Sequence, residues 1–140
     1  MPYNVLIVDD SKSMRKVIKK ILYLSGLRIG ESLEASNGQE ALDVLENHWV
    51  DLILSDIHMP VMDGFGLIRA LKENEMWKDL PVVFVTTEAN EDRLKEVLSL
   101  GARGYVRKPF RPEDIRPLLA RIMGEDYELR VAGSDEGCDF

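Results

Sequence analysis

The chain predicts an α/β fold: a doubly wound, five-stranded parallel sheet with five helices covering both faces. Two observations carry this expectation. Short apolar runs alternate five times with stretches whose apolar residues recur at three- and four-residue steps. The runs are also apolar on consecutive positions, as strands covered from both sides require. With 140 residues, 45% of them hydrophobic, the chain is long enough to bury one substantial core as a single domain.

Taken in order, YNVLIV (3–8) is the first strand. Residues 11–26 follow as a helix with Ser11 as N-cap and Gly26 as its stop. Met14, Val17, Ile18, Ile21 and Leu22 are expected inward, and Lys12, Arg15, Lys16, Lys19 and Lys20 on a solvated face. IGESLEA (29–35) is the least apolar strand. The helix over 37–47 turns Ala41, Leu42 and Leu45 inward. DLILSD (51–56) is a buried strand ending in an acid. Past a loop holding Met59–Pro60 and Asp63–Gly64, both turn formers, come a helix (64–73) and a Val-rich strand (80–87). The helix over 90–101 faces inward with Leu94, Val97 and Leu98, and GYVRKP (104–109) holds the last strand. A final helix over 112–124 uses Ile115, Leu118, Leu119 and Ile122. Pro117 either delays its start to near Ile115 or kinks it, and a first-turn role is expected because no donor is lost there. Trp49 and Trp77 are expected to pack, and the His48 and His58 side chains to be exposed.

The net charge of −7 is concentrated at one end. Residues 125–140 hold six acids and one base, a charge of −5, which leaves −2 on residues 1–124. The expected organisation is a domain over 1–124 and an acidic, flexible tail over 125–140. The charge argues against nucleic acid as a direct partner. A single cysteine, Cys138, permits no internal disulfide. No basic leader or membrane-length apolar run is present, so a cytoplasmic protein without a membrane partner is expected.

In an open parallel sheet, ligands sit beyond the carboxyl ends of the strands. Strand one ends in Asp9 and Asp10, strand three in Asp56, strand four in Thr86 and Thr87, and strand five runs into Lys108. Three carboxylates placed together need a counter-charge, and a hard divalent cation such as Mg²⁺ supplies it with oxygen ligands. Mn²⁺ is the expected substitute. No His or Cys cluster points to zinc. With the metal bound, one carboxylate can act as a nucleophile, while Lys108 and Thr86 hold oxygens of a transferred phosphoryl group.

LIVDDS, DLILSDIHMPVMDGFGL, PVVFVTTEA and GYVRKPF resemble the successive signatures of the bacterial response-regulator receiver domain, of the stand-alone CheY-like kind. The resemblance covers residues 3–123, with Thr86 thirty residues after Asp56, Tyr105 nineteen further and Lys108 three beyond that. It implies the flavodoxin/CheY-like strand order 2-1-3-4-5. It implies Asp56 as the phosphoacceptor, charged by a sensor histidine kinase. Asp10 and Asp56 would hold the metal by their side chains and His58 by its backbone carbonyl, with Asp9 acting through a water. Thr86 would bond the phosphoryl group and move inward with Tyr105 as a switch, and Lys108 would pair with a phosphoryl oxygen beside a cis Lys108–Pro109 peptide. His58, Thr87 and Glu88 stand where the family tunes phosphoryl loss. The output would be a partner protein meeting the helix 4–strand 5–helix 5 face. Apart from its own phosphorylation and autodephosphorylation, no enzymatic activity is implied.

Other readings share parts of this chemistry. A phosphorelay intermediate would pass the phosphoryl group to a histidine phosphotransfer protein, with the same motifs. A Mg²⁺-dependent phosphohydrolase forming an aspartyl phosphate would want an acid–base aspartate where His58 stands, and a cap domain. A flavin carrier would want a phosphate-cradling loop where this chain has the acidic DDSKS.

Overall fold

The computed structural model describes residues 2–124; the expectation of an acidic flexible tail over 125–140 lies outside the described residues. Five strands alternate with five helices: β1 (Tyr3–Val8), α1 (Lys12–Leu24), β2 (Ile29–Ala35), α2 (Gly38–Asn47), β3 (Leu52–Ser55), α3 (Gly64–Lys72), β4 (Val82–Thr86), α4 (Glu91–Ser99), β5 (Gly104–Arg107) and α5 (Pro112–Met123). The strands form one parallel sheet in the order β2-β1-β3-β4-β5. The expected fold class, strand order and element sequence are those observed.

Alternation along the strands divides the core between two layers. Val5 and Ile7 of β1 join Leu52, Leu54, Val83 and Val85 beneath Ile18 and Leu22 of α1 and Ile115 and Leu119 of α5. Leu6 and Val8 join Ile53 and Phe84 beneath α2, α3 and α4 through Ala41, Leu67, Leu94 and Val97. Central strands buried on both sides explain the unbroken apolar runs, and edge strand β2, partly exposed, explains why its run is diluted with Glu31 and Glu34.

Local chemistry starts the helices where the sequence suggests. Ser11 Oγ accepts from Met14 N–H at 3.2 Å, Asn37 Oδ1 from Glu40 N–H at 2.9 Å, and Asp63 Oδ1 from Gly66 N–H at 2.9 Å. Glu40 in turn accepts from the Ser36 N–H, which holds its carboxyl below the usual range. The loop before α3 depends on Gly64. A Cβ there would meet Phe84 Cε1 at 2.6 Å and the Asp56 carbonyl oxygen at 2.9 Å. Gly64→Ala is therefore expected to lose about 1–3 kcal/mol of stability through overpacking, read from the urea midpoint. An unchanged midpoint would show that Phe84 gives way freely.

Four expectations about side chains are corrected. Val17 is 47% exposed because the seam of α1 runs through Met14, Ile18 and Leu22, leaving Val17 on its flank. Leu98 is 40% exposed; α4 seals the sheet with Leu94 and Val97, and Leu98 lines a shallow groove with Tyr105 and Leu118. Trp49 does not pack: it is 78% exposed, its ring N–H donating to Asp51 Oδ1 at 3.0 Å, whereas Trp77 does pack against the α2–α4 layer. Pro117 has no first-turn role. Pro112 takes that position after the Arg111 N-cap, and Pro117 lies within α5 on an exposed side, where the Glu113 carbonyl deprived of its donor can meet water.

Candidate functional site

The rim at the carboxyl ends of β1, β3, β4 and β5 is assembled by backbone pairing before any side chain acts. Asp56 N–H donates to the Val8 carbonyl at 2.9 Å, which sets Asp56 beside Asp9. Asp9 N–H donates to the Ala35 carbonyl at 3.0 Å, and Lys108 N–H to the Thr86 carbonyl at 2.8 Å. Residues 9, 56, 86 and 108, far apart in the chain, therefore share one edge.

Carboxylate oxygens of Asp9, Asp10 and Asp56 lie within 4.8 Å of one another. Asp9 and Asp56 are buried, at 1% and 9% exposure, and Asp10 is exposed. Lys108 Nζ bridges the buried pair, 2.9 Å from Asp9 Oδ2 and 3.2 Å from Asp56 Oδ2. Their other oxygens accept backbone donors: Ser11 N–H to Asp9 Oδ1 at 2.9 Å, and Ile57 N–H to Asp56 Oδ1 at 2.7 Å. Burial is the largest influence on Lys108 and opposes its charge, but the Asp9 and Asp56 carboxylates together outweigh it and hold the ammonium above its ordinary range. Three carboxylates and one ammonium leave the cluster at −2. That deficit, displayed entirely on oxygen donors with Asp10 open to solvent, fits a hard divalent cation.

Thr86, fully buried, accepts the Glu88 N–H on Oγ1 at 3.1 Å. Thr87 is exposed. Tyr105 is half-buried opposite Phe84 in the β4–β5 pairing, against the α2–α4 layer. The Lys108–Pro109 peptide is cis, as the resemblance implies.

The His58 side chain is exposed, as expected, but it is not idle. His58 Nε2 lies 2.7 Å from Glu88 Oε1 and ties the loop after β3 to the loop after β4. Glu88 Oε2 accepts from the N–H of Asn90, the residue that caps α4. The Asn90 N–H first, and His58 after it, hold the Glu88 carboxyl below its usual range. Sequence reasoning singled out His58 and Glu88 separately and missed their contact. A signal was present: they are separated by the same thirty residues as Asp56 and Thr86, in the loops that follow neighbouring strands. Arg15 was also missed. Assigned to the solvated face of α1, it instead clamps the site from below, donating from Nη1 to the Asp9 carbonyl at 2.6 Å and from Nε to Glu34 at 2.7 Å.

Comparison with known proteins gives this geometry its context. The family model described as response regulator receiver domain matches residues 5–120. The chemotaxis protein CheY of Pseudomonas aeruginosa is 38% identical over 119 residues, covering 85% of this chain and 94% of its own. The chemotaxis response regulator CheY4 of Vibrio cholerae superposes with a TM-score of 0.75 at 35% identity, over 87% of this chain and 99% of that one. The receiver domain of a sensor histidine kinase from Pseudomonas aeruginosa, with a magnesium ion coordinated in its active site cleft, superposes with a TM-score of 0.76 at 26% identity, over 89% of this chain and 100% of that one. No helix among the described residues is long and apolar enough to cross a membrane. The chain belongs to the response regulator receiver domain family, the CheY-like receivers of two-component signalling.

Proposed function

We propose that this domain, residues 1–124, is a phosphorylation switch in which Asp56 accepts a phosphoryl group from a sensor histidine kinase. The observation that carries this reading is the Lys108 ammonium shared between Asp56 and Asp9, with Asp10 close by and open to solvent. Asp10 and Asp56 side chains and the His58 carbonyl are the groups that would hold Mg²⁺, or Mn²⁺ in its place, with Asp9 assisting indirectly. When bound, the metal supplies the positive charge that lets a carboxylate approach a phosphate dianion.

The chain's own groups do the rest. Asp56 Oδ2 attacks phosphorus, the donor's N–P bond breaks, and the nitrogen leaves with the bonding pair. Lys108 follows the charge from the Asp56 carboxylate to a phosphoryl oxygen, a shift of partner across a short distance. Thr86 then donates its hydroxyl proton to another phosphoryl oxygen and moves from its contact with the Glu88 N–H. Because Glu88 also bonds Asn90 at the head of α4, that move reaches α4, and Tyr105 turns inward beside it. The altered α4–β5–α5 face would be read by an output protein in the cytoplasm. Incubation with Mg²⁺ and a small phosphodonor, followed by intact-mass measurement, tests the reading: one stable phosphoryl group per chain is expected. Turnover of many external phosphoesters would make the protein a phosphohydrolase instead.

The His58–Glu88 bridge bears on how long the phosphoryl group lasts. Water attacking the acyl phosphate must pass the two loops this bridge joins. His58→Asn, too short to reach Glu88, is expected to dephosphorylate a few-fold faster than the parent chain. Equal decay rates, followed by mass after removal of the donor, would defeat this.

A further inference from the structure

The edge of the sheet farthest from β5 combines an open strand with a basic helix stripe. Among the described residues β2 is the outermost strand and pairs only with β1. The Glu31 N–H donates to Asn4 Oδ1 at 2.9 Å, and the Ala35 carbonyl accepts from the Asp9 N–H at 3.0 Å, so both residues turn their backbone groups toward β1. By the alternation of a strand, the N–H and C=O groups of Ser32 and Glu34 turn to the open edge. A groove of about 590 Å³ runs beside them, with Lys16, Lys19, Lys20 and Tyr23 of α1 along one wall and Ile29 and Ser32 along the other.

Charge singles this groove out. Among the described residues Lys16, Lys19 and Lys20 have no carboxylate partner, and against these three ammonium groups the lining holds one acid, Glu31, for a charge of +2. Residues 1–124 carry −2 in total, so the stripe is a local reversal of sign rather than a share of general basicity. Tyr23 is 71% exposed at its end. On the β2 wall, Ser32 Oγ is enclosed without a hydrogen-bond partner, alone in this among the buried side-chain polar atoms of the described residues. An acceptor carried into the groove would pair it.

We propose that this edge is a docking site for a second protein, in which an extended acidic segment of the partner adds to β2 as a sixth strand and lays its carboxylates against the α1 lysines. The two periodicities match. Lys16 and Lys20 are one helical turn apart, about 6 Å along α1. Side chains on one face of a strand recur at about 6.6 Å, twice its rise per residue. Acids at alternate positions therefore meet Lys16 and Lys20 in turn, with Lys19 between them, and an apolar residue two positions further reaches Tyr23. Main-chain bonds to Ser32 and Glu34 supply affinity that surface ion pairs alone do not, and the lysines select an acidic segment. The added strand also covers an edge otherwise open to unselective pairing. Because β2 and β5 are opposite edges of the sheet, this partner and one on the α4–β5–α5 face can be held at once.

The test titrates the full chain with a capped acidic peptide that alternates glutamate with valine, read by amide chemical shifts and hydrogen exchange. Saturable shifts are expected over residues 16–23 and 30–34, with the Ser32 and Glu34 amides exchanging more slowly when peptide is bound. Lys16→Gln, Lys19→Gln and Lys20→Gln together should weaken binding about ten-fold through the loss of three surface pairs. A peptide with the same side chains but methylated backbone nitrogens keeps the charge and loses the pairing, and no measurable binding of it is expected. Equal affinity for the methylated peptide would overturn the proposal, as would shifts centred on Leu98, Tyr105 and Leu118, or no saturable shift at all. Slow exchange at Ser32 and Glu34 before any peptide is added would also overturn it. Protection that fades on dilution would place a second copy of the chain on this edge, and protection that persists would place the chain's own continuation there.

Discussion

Asp56→Asn is expected to take up no phosphoryl group from a small phosphodonor in Mg²⁺, where the parent chain takes up one. Asp9 and Asp10 do not replace it, for geometric reasons. Asp9 is the more deeply buried of the two, at 1% exposure, and closes β1, two strands from Thr86. Asp10 is exposed and lacks the Lys108 contact that Asp56 has. Asp56 alone combines a neighbouring ammonium, a backbone N–H on its other oxygen and Thr86 at the end of the adjacent strand. The substitution should leave the fold intact, since an amide in a cluster of net charge −2 reduces repulsion rather than adding it. Intact mass on both proteins, with circular dichroism to confirm folding, makes the measurement. A phosphoryl group on the folded Asp56→Asn chain would remove Asp56 from its proposed role.

Lys108→Met is expected to be the costlier change for stability. Lys108 is the counter-charge for two buried carboxylates, and the Lys108, Asp9 and Asp56 side chains are only 10%, 2% and 12% exposed. Removing one partner of a buried pair leaves the other uncompensated, a loss of about 3 kcal/mol, visible as a lower urea midpoint at pH 7 without divalent cation. The sign of its pH dependence follows. In the parent chain the ammonium is held above its ordinary range, so its contribution persists through neutral pH and is lost only as pH rises through that raised value. Equal midpoints for the two chains at pH 7 would show that the bridge adds no stability.

The fold was legible because each signal was local and redundant. Apolar runs of both-faced strands, the N-cap at Ser11 and the Asp63–Gly64 turn each point to the same element boundaries. The rim residues were legible for a related reason: strands in a parallel sheet all end on one side, so an acid or lysine closing a strand is placed by topology. What failed was reading a helix face at its margins. Val17 and Leu98 satisfy the period yet lie off the line where helix meets sheet, which depends on how each helix sits. Trp49 failed for another reason. Its bulk suggests burial, but it follows α2 where the core has already closed and its N–H has Asp51 to bond. Pro117 misled because Pro112 had already taken the position where proline is tolerated best.

By itself, the sequence determined the five-stranded α/β plan, the strand ends that carry Asp9, Asp10, Asp56, Thr86 and Lys108, and the excess of negative charge among them. Those follow from periodicity and from charge, which are properties of the chain. Only the tertiary structure decided which groups touch: that Lys108 bridges Asp9 and Asp56, that Arg15 turns from solvent to hold Asp9, and that His58 reaches Glu88. Each contact joins side chains from different strands or helices across distances of a few ångströms. Hydrogen bonds and ion pairs are decided at that scale, and no spacing along a single chain specifies it.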